Sequence, residues 1–416
     1  MQPKTTQLNM PNNRVFARYA IAIVAFAQLF GTSLWFSANS AALDLIREWS
    51  ITAADIGWLT NAVQAGFILG TFLIAATGLA DRFKASSIFV CAAILGAVFN
   101  FCFAWLATGL SEAMLYRFFV GMSLAGIYPI GMKLVIQWAP DQAGQALARL
   151  VAMLTLGTAL PFALNGLFTA LAWQAVMSCS SVLALIAAGL IYRLGDAKHS
   201  HAAKLQAQSL RAHQAVLTKS GAFQVFKIAK FRAAAVGYFG HMWELYAFWA
   251  MLPLFIQHSG IPEKLGIPNV ALLSFAVIAA GAIGCLLGGY VAKQRGSAQA
   301  ALGALWISGL SCLAFVVGWR FLPAWGLLII LLVWAIAVIA DSPQFSALSA
   351  QACPPEKLGA ALAIQNAIGF AITIVSITLT SYAFDFIGLD AAWILLIGPV
   401  LGLVGFYSIR RNEMRV

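Results

Sequence analysis

Two stretches of this 416-residue chain, Tyr19–Leu43 and Ser86–Ser111, run without a single charged side chain. A helix needs roughly 20 residues to cross about 30 Å of hydrocarbon, and inside a bilayer its backbone must satisfy its own hydrogen bonds. Each stretch exceeds that length. Composition points the same way: 62% of the residues are hydrophobic and 9% charged, against about a quarter charged in soluble domains. The chain therefore reads as an all-α membrane protein that crosses the bilayer many times. Residues 1–17 are polar and the first apolar run is long enough to span, so no removable leader is expected.

Twelve apolar segments can be placed, at 18–42, 55–78, 86–108, 112–136, 145–169, 172–194, 232–257, 270–292, 298–318, 324–350, 358–384 and 389–409. They divide the chain into a tail (1–17), a six-helix half (18–194), a basic central loop (195–231), a second six-helix half (232–409) and a short tail (410–416). The loop ends in FQVFKIAKF, an amphipathic stretch suited to a lipid surface. With both termini in the cytoplasm, 20 of the 25 Lys and Arg residues fall on that side. Only Arg47, Lys264 and Arg320 fall outside, and Arg117 and Lys133 lie within the fourth segment. This bias predicts cytoplasmic termini by the positive-inside rule, in a cytoplasmic (inner) membrane. The net charge of +11 then belongs to topology and anionic lipid, with no nucleic-acid partner expected.

The halves repeat. GTSLWFSANSA in segment 1 aligns with GHMWELYAFWA in segment 7, TGLADRFKA after segment 2 with GYVAKQRGS after segment 8, and Pro129 in segment 4 with Pro343 in segment 10. Three matches in register indicate duplication and a transporter architecture. The six cysteines and the His199–His201 pair show no metal or disulfide spacing.

With these features the chain resembles the major facilitator superfamily along essentially its whole length. The loop after segment 2 carries Leu79-Ala80-Asp81-Arg82 of the family signature, with Thr77 and Lys84 where glycines are usual. The second copy keeps Gly289 and Gly296 but has Lys293 in place of the acid. YRFFVG supplies Arg117 and Gly121 of an R-x-x-x-G pattern in segment 4. The proline-glycine pattern of segment 5 in drug antiporters is poorly matched by Gly157 and Pro161. The resemblance implies two pseudo-symmetric six-helix halves, a gating role for Asp81 with Arg82, and a cavity lined by helices 1, 4, 7 and 10.

The intramembrane charges concentrate on those helices: Arg117 and Lys133 on the fourth, Glu244 on the seventh, Asp341 on the tenth. Charges inside a bilayer are expensive, so they mark sites. His241 lies three residues before Glu244 on one helix face; His241, Glu244 and Asp341 are the candidate proton-coupling groups. Arg117 could hold an anionic substrate or tune a carboxylate, and Lys133 is expected to snorkel to the interface. Trp35, Asn39, Tyr128, Tyr246, Trp249 and Gln344 complete a candidate substrate pocket.

The function expected from these residues is proton-coupled secondary transport of a small organic solute by alternating access, as symporter or antiporter, by a monomer. No cofactor is expected, since an ion gradient supplies the energy. Multidrug/proton antiport is the alternative within the class. A membrane enzyme would need a clustered nucleophile or metal set, and a sensor an output domain; neither is apparent in the sequence.

Overall fold

The computed structural model describes residues 13–139, 143–168, 171–197, 222–354 and 357–413. His199, His201 and most of the basic loop fall outside them, as do the side chains of Arg14, Arg18 and Asp81. The described residues form twelve long helical elements, α1 to α12, in chain order. Ten are single helices: α2 (Ala53–Thr77), α3 (Ala85–Leu106), α4 (Leu110–Trp138), α5 (Ala143–Leu167), α6 (Trp173–Leu194), α7 (Ala229–His258), α8 (Val270–Arg295), α9 (Ser297–Gly318), α11 (Leu358–Ile387) and α12 (Trp393–Glu413). Two are broken: α1 into Asn13–Thr32, Ser37–Ser40 and Ala42–Trp49, and α10 into Ala324–Ala340 and Ser342–Ala352.

Among the described residues nine stretches are long and apolar enough to cross a bilayer, one of them covering α11 and α12 together. α7 is not one of the nine, although it is 30 residues long. It starts at Ala229, three residues before the expected boundary, and along its length it carries Lys230, Arg232, His241 and Glu244.

Both breaks have causes in the sequence. In α1 the run GTSLWFSANS places hydroxyls where they compete for helical carbonyls. Thr32 donates to Gln28 O (2.8 Å), Ser33 to Phe30 O (2.6 Å) and Ser37 to Leu34 O (3.1 Å). Such back-bonding bends helices and offers the backbone an alternative to continuing. In α10 the break falls at Asp341-Ser342-Pro343, where proline removes an N–H and cannot continue the preceding ladder. The second piece starts afresh, with Gln344 N and Phe345 N both donating to Asp341 O at 2.9 Å.

The helices of each half pack mainly among themselves, and the halves meet where α2 packs on α11 and α5 on α8. α2 and α11 approach closely because residue 57 is glycine. A Cβ there would lie 2.1 Å from Ser381 Oγ. Small residues at such crossings let backbones approach in membranes. Among the described residues, the hydrogen bonds joining the halves run from the middle of the bundle to the end where α2 and α8 begin. They are Thr155–Cys285 (3.8 Å), Gln64–Thr373 (3.2 Å), Asn61–Thr378 (2.8 Å), Asn269–Gly166 O (2.8 Å), and Asp385 to the N–H groups of Ala53 and Ala54 (2.9 and 3.0 Å).

Candidate functional site

The three candidate proton groups come together in the second half. His241 and Glu244 lie one turn apart on α7, and both are fully buried, as is Asp341 at the break of α10. His241 Nδ1 stands 2.7 Å from Asp341 Oδ1. The contact is short but poorly directed, and no other side chain among the described residues bonds His241 Nε2 or Asp341 Oδ2. The helix break makes this contact available, because Asp341 faces α7 and does not cap its own second piece.

Glu244 points away from the interface between the halves and into the wall of its own half. Its Oε1 accepts from Trp334 Nε1 on α10 at 2.7 Å, and its Oε2 from Ser308 Oγ on α9 at 2.9 Å. Phe248 stacks on Trp334 with ring centroids 4.4 Å apart, which fixes the indole that holds the carboxylate. A carboxylate removed from water costs several kcal/mol unless hydrogen-bonded or paired. Two neutral donors offset part of that, and among the described residues no Lys or Arg is paired with it. Neither Ser308 nor Trp334 was expected from the sequence: one hydroxyl and one indole inside apolar runs are ordinary there.

Arg117 takes a different place from the expected one. Its guanidinium is fully buried in the first half, behind the broken α1. Nη1 donates to Leu34 O (3.1 Å), Ser37 Oγ (3.0 Å) and Asn100 Oδ1 (3.3 Å), and Nη2 to Trp35 O (2.5 Å). The ring of Phe103 lies 5.9 Å from its central carbon. Among the described residues no carboxylate is brought to it, and Asn100 is tied in turn to Met177 O and Ser181 on α6. Lys133 is half-buried, and its ammonium reaches past the end of α2 to donate to Ala80 O, in the one-turn helix Leu79–Arg82 between α2 and α3. Arg82 is exposed.

The candidate pocket residues separate into two groups. Trp35, Tyr246 and Trp249 meet between the halves with Phe36, Phe67 and Phe370. Trp35 and Tyr246 are 5.7 Å apart by ring centroid, Phe36 and Trp249 6.0 Å, Phe67 and Phe370 4.6 Å. A polar chain threads this cluster, from Trp35 Nε1 to Gln64 Oε1 and from Gln64 Nε2 to Thr373 Oγ1, both at 3.2 Å. The indole N–H of Trp249 is buried without a partner among the described residues. Tyr128 is half-buried on α4. Asn39 is turned to Thr60 (2.9 Å), and Gln344 is buried on the second piece of α10. A groove lined by Phe101, Trp105, Leu164, Ser178 and Val182 lies elsewhere, over α3, α5 and α6, and touches none of these groups.

The chain thus has a broken α1, a broken α10 and an aromatic cluster between its two halves. The sequence profile described as Major Facilitator Superfamily matches residues 21–376. The chain belongs to that superfamily. Within it, a niacin transporter, NiaP, of Acinetobacter baylyi is 30% identical over 96 residues, which are 23% of this chain and 21% of that protein. The Bacillus subtilis protein bearing the same NiaP name is 27% identical over 152 residues, 36% of this chain and 37% of its own. The aligned stretches thus span well under half the length of either relative. Among solved structures, a bacterial homologue of the human lysosomal transporter Spinster superposes with a TM-score of 0.70 at 14% identity, covering 96% of this chain and 98% of that one. The xylose transporter XylE of E. coli does so at 0.69 and 15% identity, covering 95% and 98%. These likenesses establish the fold: twelve helices in two six-helix halves. The protein is a multi-pass membrane transporter.

Proposed function

We propose that this transporter couples movement of a small organic solute to protons, through Glu244, Asp341 and His241. The observation that carries the reading is their joint burial on α7 and α10. Two carboxyl groups with one imidazole and no Lys or Arg cannot all stay ionised in low dielectric, so the cluster is built to take up a proton. A proton bound or released there, as helices move and exposure changes, gives the linkage that a carrier needs. With the termini cytoplasmic, the end at which hydrogen bonds join the halves faces outward.

The solute that the pocket favours is flat and aromatic. Trp35, Phe36, Tyr246 and Trp249 supply ring faces, and the buried Trp249 N–H offers one unfilled donor. The partial relatives named as niacin transporters make nicotinate the first probe. In proteoliposomes, wild-type protein is expected to accumulate labelled nicotinate on an imposed pH gradient, and a protonophore to abolish the accumulation. Glu244→Gln keeps the shape and removes the titration. It is expected to exchange nicotinate across the membrane but not concentrate it, with accumulation down at least tenfold. Accumulation by Glu244→Gln at the wild-type rate would place the coupling proton elsewhere.

A further inference from the structure

The surroundings of Glu244 hold more than a proton-binding group requires. Ser308 Oγ lies 2.9 Å from Glu244 Oε2 and 3.1 Å from the carbonyl of Leu305 in its own helix. A hydroxyl has one hydrogen to give and two lone pairs to offer. The Leu305 carbonyl can only accept, so the hydrogen is shared between two acceptors and satisfies one at a time. Trp334 Nε1, on the other oxygen, can only donate. A proton on Oε1 would find no acceptor in that N–H, whereas at Oε2 the Ser308 hydroxyl can accept it, which makes Oε2 its seat.

We propose that Ser308 is a positioning residue of the proton site, keeping Glu244 hydrogen-bonded in both of its protonation states. With the carboxyl ionised, the hydroxyl donates to Oε2. With the proton on Oε2, the hydroxyl turns its hydrogen to Leu305 O and accepts from the carboxyl in its place. One bond rotation exchanges the two arrangements, no heavy atom moves, and both carboxyl oxygens stay bonded throughout. Glu244 then stores the proton in the wall of the second half and does not touch the solute.

The other groups around Glu244 are accounted for. α7 itself presents His241, and α10 presents Asp341 at its break. α9 adds the thiol of Cys312, whose hydrogen goes to Ala392 O at 3.4 Å. α8 brings Cys285 beside Thr155. α11 and α12 have their Asp, Glu, Lys and Arg residues only near their ends, at Asp385, Arg410, Arg411 and Glu413.

The inference rests on Glu244 carrying a proton, and the test separates the two claims. Infrared difference spectra of the purified protein in lipid nanodiscs, recorded against pH, should show a protonated-carboxyl band that Glu244→Gln removes. In Ser308→Ala that band is expected at higher frequency, since the carboxyl proton has lost its acceptor. Its titration midpoint should move to higher pH by about one unit, because the ionised form loses the stronger, charge-assisted bond. Ser308→Thr keeps the hydroxyl and should restore both. A Glu244 band that Ser308→Ala leaves unmoved in frequency and midpoint overturns the role of Ser308 and leaves proton storage standing. No Glu244 band at any pH overturns both.

Discussion

Arg117 shows how far one side chain's role depends on what it meets. A guanidinium in a membrane protein invites the reading of a substrate anchor, yet here it carries four hydrogen bonds to neutral acceptors, two of them main-chain carbonyls of Leu34 and Trp35. Those carbonyls lie at the break of α1, where regular helical partners are missing, and a buried unpaired carbonyl costs about 1–3 kcal/mol. The planar fork of arginine reaches both at once, which a single ammonium cannot do. Arg117→Lys is therefore expected to lower thermal stability by several degrees, with the pH profile of nicotinate transport unchanged in the protein that remains folded. Differential scanning fluorimetry alongside uptake would check this; an unchanged melting temperature with weakened nicotinate binding would return Arg117 to the solute site.

At the scale of the element, helices and their order were legible in the sequence because apolar length is a direct physical requirement of the bilayer. α2 to α6, α8, α9 and α11 were placed within three residues at each end, while α12 starts four residues later than expected. The breaks were not placed, since a serine or proline in an apolar run can be absorbed by a continuous helix or can end it, and only packing decides. The same limit divides the site. Glu244, His241 and Asp341 stood out as charge or titratable groups against an apolar background. Ser308 and Trp334 did not, since they reach Glu244 only through contacts 64 and 90 residues apart in sequence. Gly57 is a comparable case. Its meaning emerges only from Ser381 on the other half. Gly57→Ala is expected to force α2 from α11 at a cost of about 1–3 kcal/mol, and Gly57→Ala with Ser381→Gly to recover most of it. Thermal unfolding of the four proteins of that double-mutant cycle measures the coupling, and strict additivity would show that the two helices do not meet in the folded ensemble.

For the whole molecule, the question is what holds the halves together at one end and lets them part in transport. α2 begins with a capping box: Thr52 accepts from Asp55 N (3.3 Å) and Asp55 from Thr52 N (2.9 Å). That box leaves the N–H groups of Ala53 and Ala54 free, and Asp385, at the far end of α11, takes both. A carboxylate from one half thus completes the N-terminus of a helix in the other, where the helix dipole favours negative charge. Opening this end must break both bonds, and water replaces them at some loss. Asp385 is exposed, so the contribution is modest, on the order of 1 kcal/mol. Near a balance between two states, that much shifts their ratio about fivefold, since 1.4 kcal/mol is a factor of ten. Asp385→Asn keeps the shape and discards the charge. It should move the molecule toward separation at this end, seen by double electron–electron resonance as a larger long-distance population between spin labels at the start of α2 and the end of α11. Fold and melting temperature should stay close to wild type, because the rest of each half is untouched. A distance distribution identical to wild type, in the presence and absence of nicotinate, would show that the aromatic cluster and the α2–α11 contact hold this end closed without the cap.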